Sequence, residues 1–210
     1  MATADRPRRF TSVGALLLVV PVAAVVWFGA NAMSSGHAAP TAARASAPEP
    51  LAVQATGGPR FSRLADLVAG SDLIVTGQVE STERGRLVGD PNEGGVVSRF
   101  VTVRIDDVLK GAPGERLANV VIEEEGWLSD GTAIAVNGLA PCAEEDTGVW
   151  FLDRIDTGDG PTYVVVNEQG RYLHRDGHTV GADTNDALIT KIEGRPLPAT
   201  VAAVRQLGAK

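Results

Sequence analysis

From residue 61 onward, apolar and polar positions alternate in short runs, a rhythm that predicts a domain built mainly of strands. In "DLIVTGQVES", Leu73, Val75, Gly77 and Val79 share one face while Ile74, Thr76, Gln78 and Glu80 share the other, as in a half-buried strand. After a turn-rich loop, "GDPNEGG" (89–95), Val101, Val103 and Ile105 alternate with Thr102, Arg104 and Asp106 in a second strand, which the Gly and Pro of "DDVLKGAPGE" bring to an end. "ANVVIEEE" and "GVWFLDR" supply a third and a fourth, and "PTYVVVNE" a fifth. "GRYLHRDGHTV" reads as a hairpin turning on Asp176-Gly177, a dipeptide suited to a type I′ turn. Helical spacing is confined to the ends. "FSRLADLVAGSD" sets Leu64, Leu67 and Val68 on one face, with Ser62 as the expected N-cap and Gly70 as the stop. "PLPATVAAVRQLG" turns Val201 and Val204 inward, with Pro198 in its first turn and Gly208 at its end, while "NDALITKIEG" is less clearly helical. The expected fold class is mainly β with flanking helices. Five to seven strands form an antiparallel barrel or curved sheet, with a short helix before it and a C-terminal helix after it.

Ahead of this domain the pattern changes twice. Residues 1–12 are basic through Arg6, Arg8 and Arg9, and "VGALLLVVPVAAVVWFGANAM" (13–33) carries no charged side chain. That run is long enough to span a bilayer as a helix, and its Ala30-Asn31-Ala32 also has the small-x-small form accepted by signal peptidase. Either an uncleaved anchor or a removed signal peptide would carry the rest across the membrane, because the arginines stay on the cytoplasmic side. The expected location is the cell membrane, single-pass with the C-terminal domain outside, or secretion after cleavage. Residues 34–60, rich in Ala, Pro, Ser and Gly, read as a disordered spacer that holds the folded domain, 61–210, away from the membrane.

Charge narrows the partners. Residues 61–210 hold 14 Lys or Arg against 24 Asp or Glu, a balance of −10 that repels nucleic acid and anionic lipid. The expected partners are a cell-envelope component or protein, and the membrane through the N-terminal helix.

Three stretches resemble exported bacterial domains of the netrin and tissue-inhibitor-like OB-fold type: "SDLIVTGQVES", "VRIDDVLKG" and "GVWFL". The resemblance covers about residues 65–175, consists of packing patterns, and implies an OB-like barrel. The chain also resembles membrane-anchored or secreted proteins of actinobacteria, a likeness that implies no particular activity. Animal netrin-like domains are stapled by several disulfides, whereas this chain has one cysteine, so their inhibitory mode is not implied.

The candidate chemistry is sparse. Cys142 has no cysteine to pair with, and Glu144, Glu145 and Asp146 beside it oppose thiolate formation, which favours a loop or part-buried thiol over a nucleophile. His174 and His178 would point to opposite sides of their hairpin and so fail to share a metal. Asp153, Asp156 and Asp159 only loosely resemble a calcium loop and fit a hairpin loop better. Of Glu123, Glu124 and Glu125, at the charged end of a strand, two are expected to face water. Trp127 opens a long loop, 125–147, that either carries recognition or lays the indole over one end of the barrel. No catalytic, metal or cofactor-binding residue is assigned. The functional expectation is a non-catalytic extracytoplasmic binding module of the cell envelope. The alternatives are an envelope enzyme using carboxylates or Cys142, and a calcium-stabilised structural module.

Overall fold

A computed structural model describes residues 49–55, 58–90, 95–111, 117–156 and 161–208. The expected anchor or signal at 13–33, Asp159 and most of the 89–95 loop lie outside the described residues. Among the described residues no helix is long and apolar enough to cross a membrane. The elements run β1 (Leu51–Val53), α1 (Leu64–Gly70), β2 (Leu73–Val88), β3 (Val96–Lys110), β4 (Asn119–Leu128), β5 (Ile134–Val136), β6 (Thr147–Asp156), β7 (Pro161–Val165), β8 (Arg171–Arg175), β9 (His178–Val180), α2 (Ala187–Ile192) and α3 (Leu197–Gly208).

Five strands close on themselves in the order β2, β3, β4, β7, β6 and back to β2. Every seam is antiparallel except β4 with β7, which is parallel and places Ile122 opposite Tyr163. This is the expected OB-like barrel, with a helix before it and a C-terminal helix after it. Strand β6 shares one of its edges between two partners. Leu152 to Asp156 pair with β7, and Thr147 to Trp150 pair with β8.

The alternation read from the sequence sorts side chains into two cores. Leu73, Val75, Val101, Val103, Ile122 and Trp150 fill the ring. The opposite faces of β2, β6 and β8 send Ile74, Val149, Phe151 and Tyr172 outward, against Leu67 of α1, Ile189 of α2 and Val204 of α3. "GVWFL" is apolar on both faces because it serves both cores, and each such side chain buried contributes about 1.5–3 kcal/mol.

The helix ends differ in part from expectation. Arg63, not Ser62, occupies the N-cap position of α1, and it makes no side-chain cap; instead it grips Asp66 in the first turn through bonds of 2.9 and 2.7 Å. Beyond Gly70 the chain leaves α1 through Ser71, whose Oγ donates to the Leu67 carbonyl at 2.7 Å. Lys110 Nζ donates to the carbonyls of Val68, Ala69 and Ser71 at 2.7, 3.1 and 2.6 Å, a cation where the helix dipole is negative. "NDALITKIEG" does form a helix, α2, because the Asp186 carboxylate accepts from the amides of Leu188 and Ile189.

Two boundaries are corrected. Strands β2 and β3 are 16 and 15 residues long and reach well beyond the segments whose alternation is clean, because irregularities between Val79 and Ser81 and between Arg84 and Leu87 break the period without ending the pairing. The spacer, expected through residue 60, is structured at its end. Leu51–Val53 pair in parallel with Ile134–Val136, Arg60 reaches Glu168 at 2.5 Å, and the amide and carbonyl of Phe61 bond the Gln169 side chain. The partners lie some eighty to one hundred residues away, so no local period announces them.

Candidate functional site

At one end of the ring the inward-facing positions change from apolar to charged. Arg99 follows Val103 and Val101 on the inner face of β3, and directly opposite it on β4 is Glu124, in line with Ile122 and Val120. Arg171 lies opposite Trp150 in the β6–β8 pairing, so it points into the ring as that indole does. An irregularity at Gly126 then re-aims β4. Val97 is opposite Trp127 and Arg99 is opposite Glu124, so Trp127 and Glu124 share a face although they stand an odd three positions apart. Only glycine fits at position 126, since a Cβ would stand 2.9 Å from the Val97 carbonyl oxygen. Arg84 on β2 is opposite Arg99 and joins the same face.

Cys142 is held here by its loop. The Glu145 amide donates to the Val79 carbonyl and the Val79 amide to that of Asp146, each at 2.9 Å. Arg171 Nη1 donates to Glu124 Oε1 at 2.6 Å and to Cys142 Sγ at 3.1 Å, and its Nη2 donates to the Ala140 carbonyl. The thiol donates to Glu124 Oε1 at 3.4 Å, and Arg99 Nη1 donates to the Cys142 carbonyl at 3.0 Å. Above them Trp127 is half-buried, with the Arg99 guanidinium 4.5 Å and that of Arg84 5.7 Å from its ring centre.

These contacts set the electrostatics. Burial pushes the Cys142 thiol up to about 12; Arg171 pulls the other way, but Glu124 adds to the rise. A thiol raised this far is protonated at neutral pH and acts as a hydrogen-bonding group. Burial alone would lower Arg171, yet Glu124 carries it above the usual arginine value. Arg99 differs: burial lowers it, and Glu124 compensates only in part.

The other residues singled out from the sequence lie elsewhere. His174 is opposite Thr179 and Arg175 is opposite His178, so the imidazoles do point to opposite sides, with Asp176 and Gly177 at φ 50 and 82 in the turn. Asp153 lies on β6 at the opposite end of the ring, near the start of β2 and the end of β3, where burial, and then Asp72, push its carboxyl up to about 6 against the pull of Lys110. Among the described residues no three of His, Cys, Asp and Glu converge as a metal set. The expectation that two of Glu123, Glu124 and Glu125 face water is overturned. Glu123 and Glu124 are buried because each has an arginine, Arg86 for the first and Arg171 for the second, and only Glu125 is exposed. Trp127 belongs to β4 and not to a loop, and the 125–147 segment also contains β5.

Sequence reasoning missed Arg84, Arg99 and Arg171. The signal was present for two of them, since Arg99 continues the inward series of Val103 and Val101, and Arg171 precedes Leu173 by two. Two shallow grooves of about 300 and 310 Å³ flank the helices, and neither holds Cys142 or a histidine. No protein-family model matches the chain, and no curated protein matches it in sequence.

Proposed function

We propose that this chain is a non-catalytic binding module of the cell envelope, exported by residues 13–33 and either anchored by them or released. Its binding face is the charged end of the barrel. The observation that carries the reading is that Trp127 stands half-exposed on a strand, fixed by the Gly126 bulge and stacked with two arginines, while the thiol beside it is buried and protonated. An aromatic ring held rigid and partly bare is a common anchor for a partner, whereas a protonated thiol tied into an ion pair does no nucleophilic work.

The test has two arms on the full chain. Replacing Trp127 by Ala is expected to abolish retention of the detergent-solubilised chain on cell envelopes stripped of lipid by detergent, where residues 13–33 find no bilayer, while leaving the melting transition in place, and undiminished retention would overturn the assignment of the face. In the second arm, hydrolysis of generic ester, amide and phosphate substrates by the wild type, lost in Cys142→Ser, would replace the binding reading by the enzymatic one.

A further inference from the structure

We infer that Arg84, Arg99 and Trp127 form a receptor for an oxyanion, a carboxylate or phosphate group carried by the ligand. This rests on the binding reading above and names its chemistry. Three observations converge. Arg84 and Arg99 are directly opposite each other across β2 and β3, an arrangement in which like charges destabilise a sheet. Their guanidinium carbons lie 5.7 and 4.5 Å from one ring centre, hence no more than about 10 Å apart, within one Debye length at ordinary ionic strength.

The second observation is that neither arginine is ion-paired among the described residues, although the neighbouring Arg86 and Arg171 each have a carboxylate. Glu124, opposite Arg99, is taken by Arg171. The third is that Arg99, only 7% exposed, has a buried Nε without an acceptor, and its Nη1 is satisfied by a neutral carbonyl. Of the buried side-chain donors left without a partner among the described residues, it alone carries a charge. In a domain with a balance of −10, this face sets three arginines, Arg84, Arg99 and Arg171, against the one carboxylate of Glu124, which leaves a local positive field with an exposed fork, Arg84, at its rim. A guanidinium fork matches the two oxygens of a carboxylate or phosphate. In this site Arg84 takes the anion from solvent, Trp127 packs against the group that bears it, and Arg99 adds a second positive charge from beneath.

The experiment is a titration of the full chain in detergent at low ionic strength with inorganic phosphate and, separately, with acetate. It follows the indole N–H resonance of Trp127, assigned by its loss in Trp127→Phe. A saturable shift with either anion, weakened at least tenfold in Arg84→Gln and unchanged in Arg104→Gln, is the expected result, and the two anions separate a phosphate-bearing from a carboxylate-bearing ligand. Arg84 is exposed, so its replacement spares the fold, and Arg104 is a surface arginine paired elsewhere, with Asp106. No saturable shift with either anion, or equal weakening in both arginine variants, overturns the inference. Should envelope retention still depend on Trp127 in that case, the binding reading stands without its anion.

Discussion

Arg171 and Glu124 meet at 2.6 Å across two strands, β8 and β4, that share no backbone hydrogen-bond ladder. One end of the barrel is therefore joined by a buried ion pair where the β4–β7 seam has stopped. Removing one partner strands the other charge in the interior, so Glu124→Gln is expected to lower stability by about 3–5 kcal/mol. Replacing both, by Leu at 124 and Met at 171, is expected to restore most of it, because the desolvation cost disappears with the charges. Denaturant midpoints of the two variants check this, and a double variant as unstable as the single one would contradict it.

Cys142 is buried against the same pair, and burial is the main cause of its raised pKa. With its pKa raised from an ordinary value of 9.0 to about 12, the folded thiol has about a thousandfold less thiolate than an exposed one at neutral pH. A disulfide reagent is expected to leave the native protein unmodified and to react stoichiometrically once denaturant unfolds it. Prompt modification of the native protein would place the thiol at the surface.

Much of the barrel was legible because alternation survives wherever one face is buried: Leu73, Val75 and Val79 declared β2, and "GVWFL" declared a strand, though its service to two cores shows only in the structure. The site was less legible because it depends on register. Trp127 shares a face with Glu124 only through the Gly126 bulge, and a one-residue irregularity reverses every inference from period two. The burial of Glu123 and Glu124 was hidden for another reason. Carboxylates read as exposed unless a cation is brought to them, and Arg86 and Arg171 lie 37 and 47 residues away.

Lys110 gives physical content to the "VLKG" that ends β3. Its ammonium satisfies three carbonyls at the C-terminal end of α1, a helix too short to be stable by itself. Lys110→Met keeps the aliphatic stem and removes the donors, so a loss of about 1–2 kcal/mol is expected. Hydrogen exchange should report it first at the amides of Leu67 and Ser71, whose bonds to the Arg63 and Leu67 carbonyls close the helix. Protection there equal to the wild type would show that the ammonium contributes nothing.

Asp153 makes stability depend on pH in the direction opposite to most carboxylates. Burial raises its folded pKa from 3.8 to about 6, with Asp72 adding to the rise and Lys110 opposing both. The folded state thus binds the proton more tightly than the unfolded chain, so between about pH 4 and 6 stability falls as pH rises, and above 6 the full penalty is present. A rise of that size, discounted for a carboxylate that is only half-buried, corresponds to about 1 kcal/mol. Asp153→Asn is expected to stabilise the protein by that amount at pH 7.5 and to match the wild type at pH 3.5, where both side chains are neutral. Because Lys110 is what restrains the rise, the gain from Asp153→Asn is expected to be larger in a Lys110→Met background, since the charge on 153 is then less well compensated. Urea midpoints of the four variants at the two pH values measure both effects, and a gain that persists at pH 3.5 would assign the stabilisation to packing and not to charge.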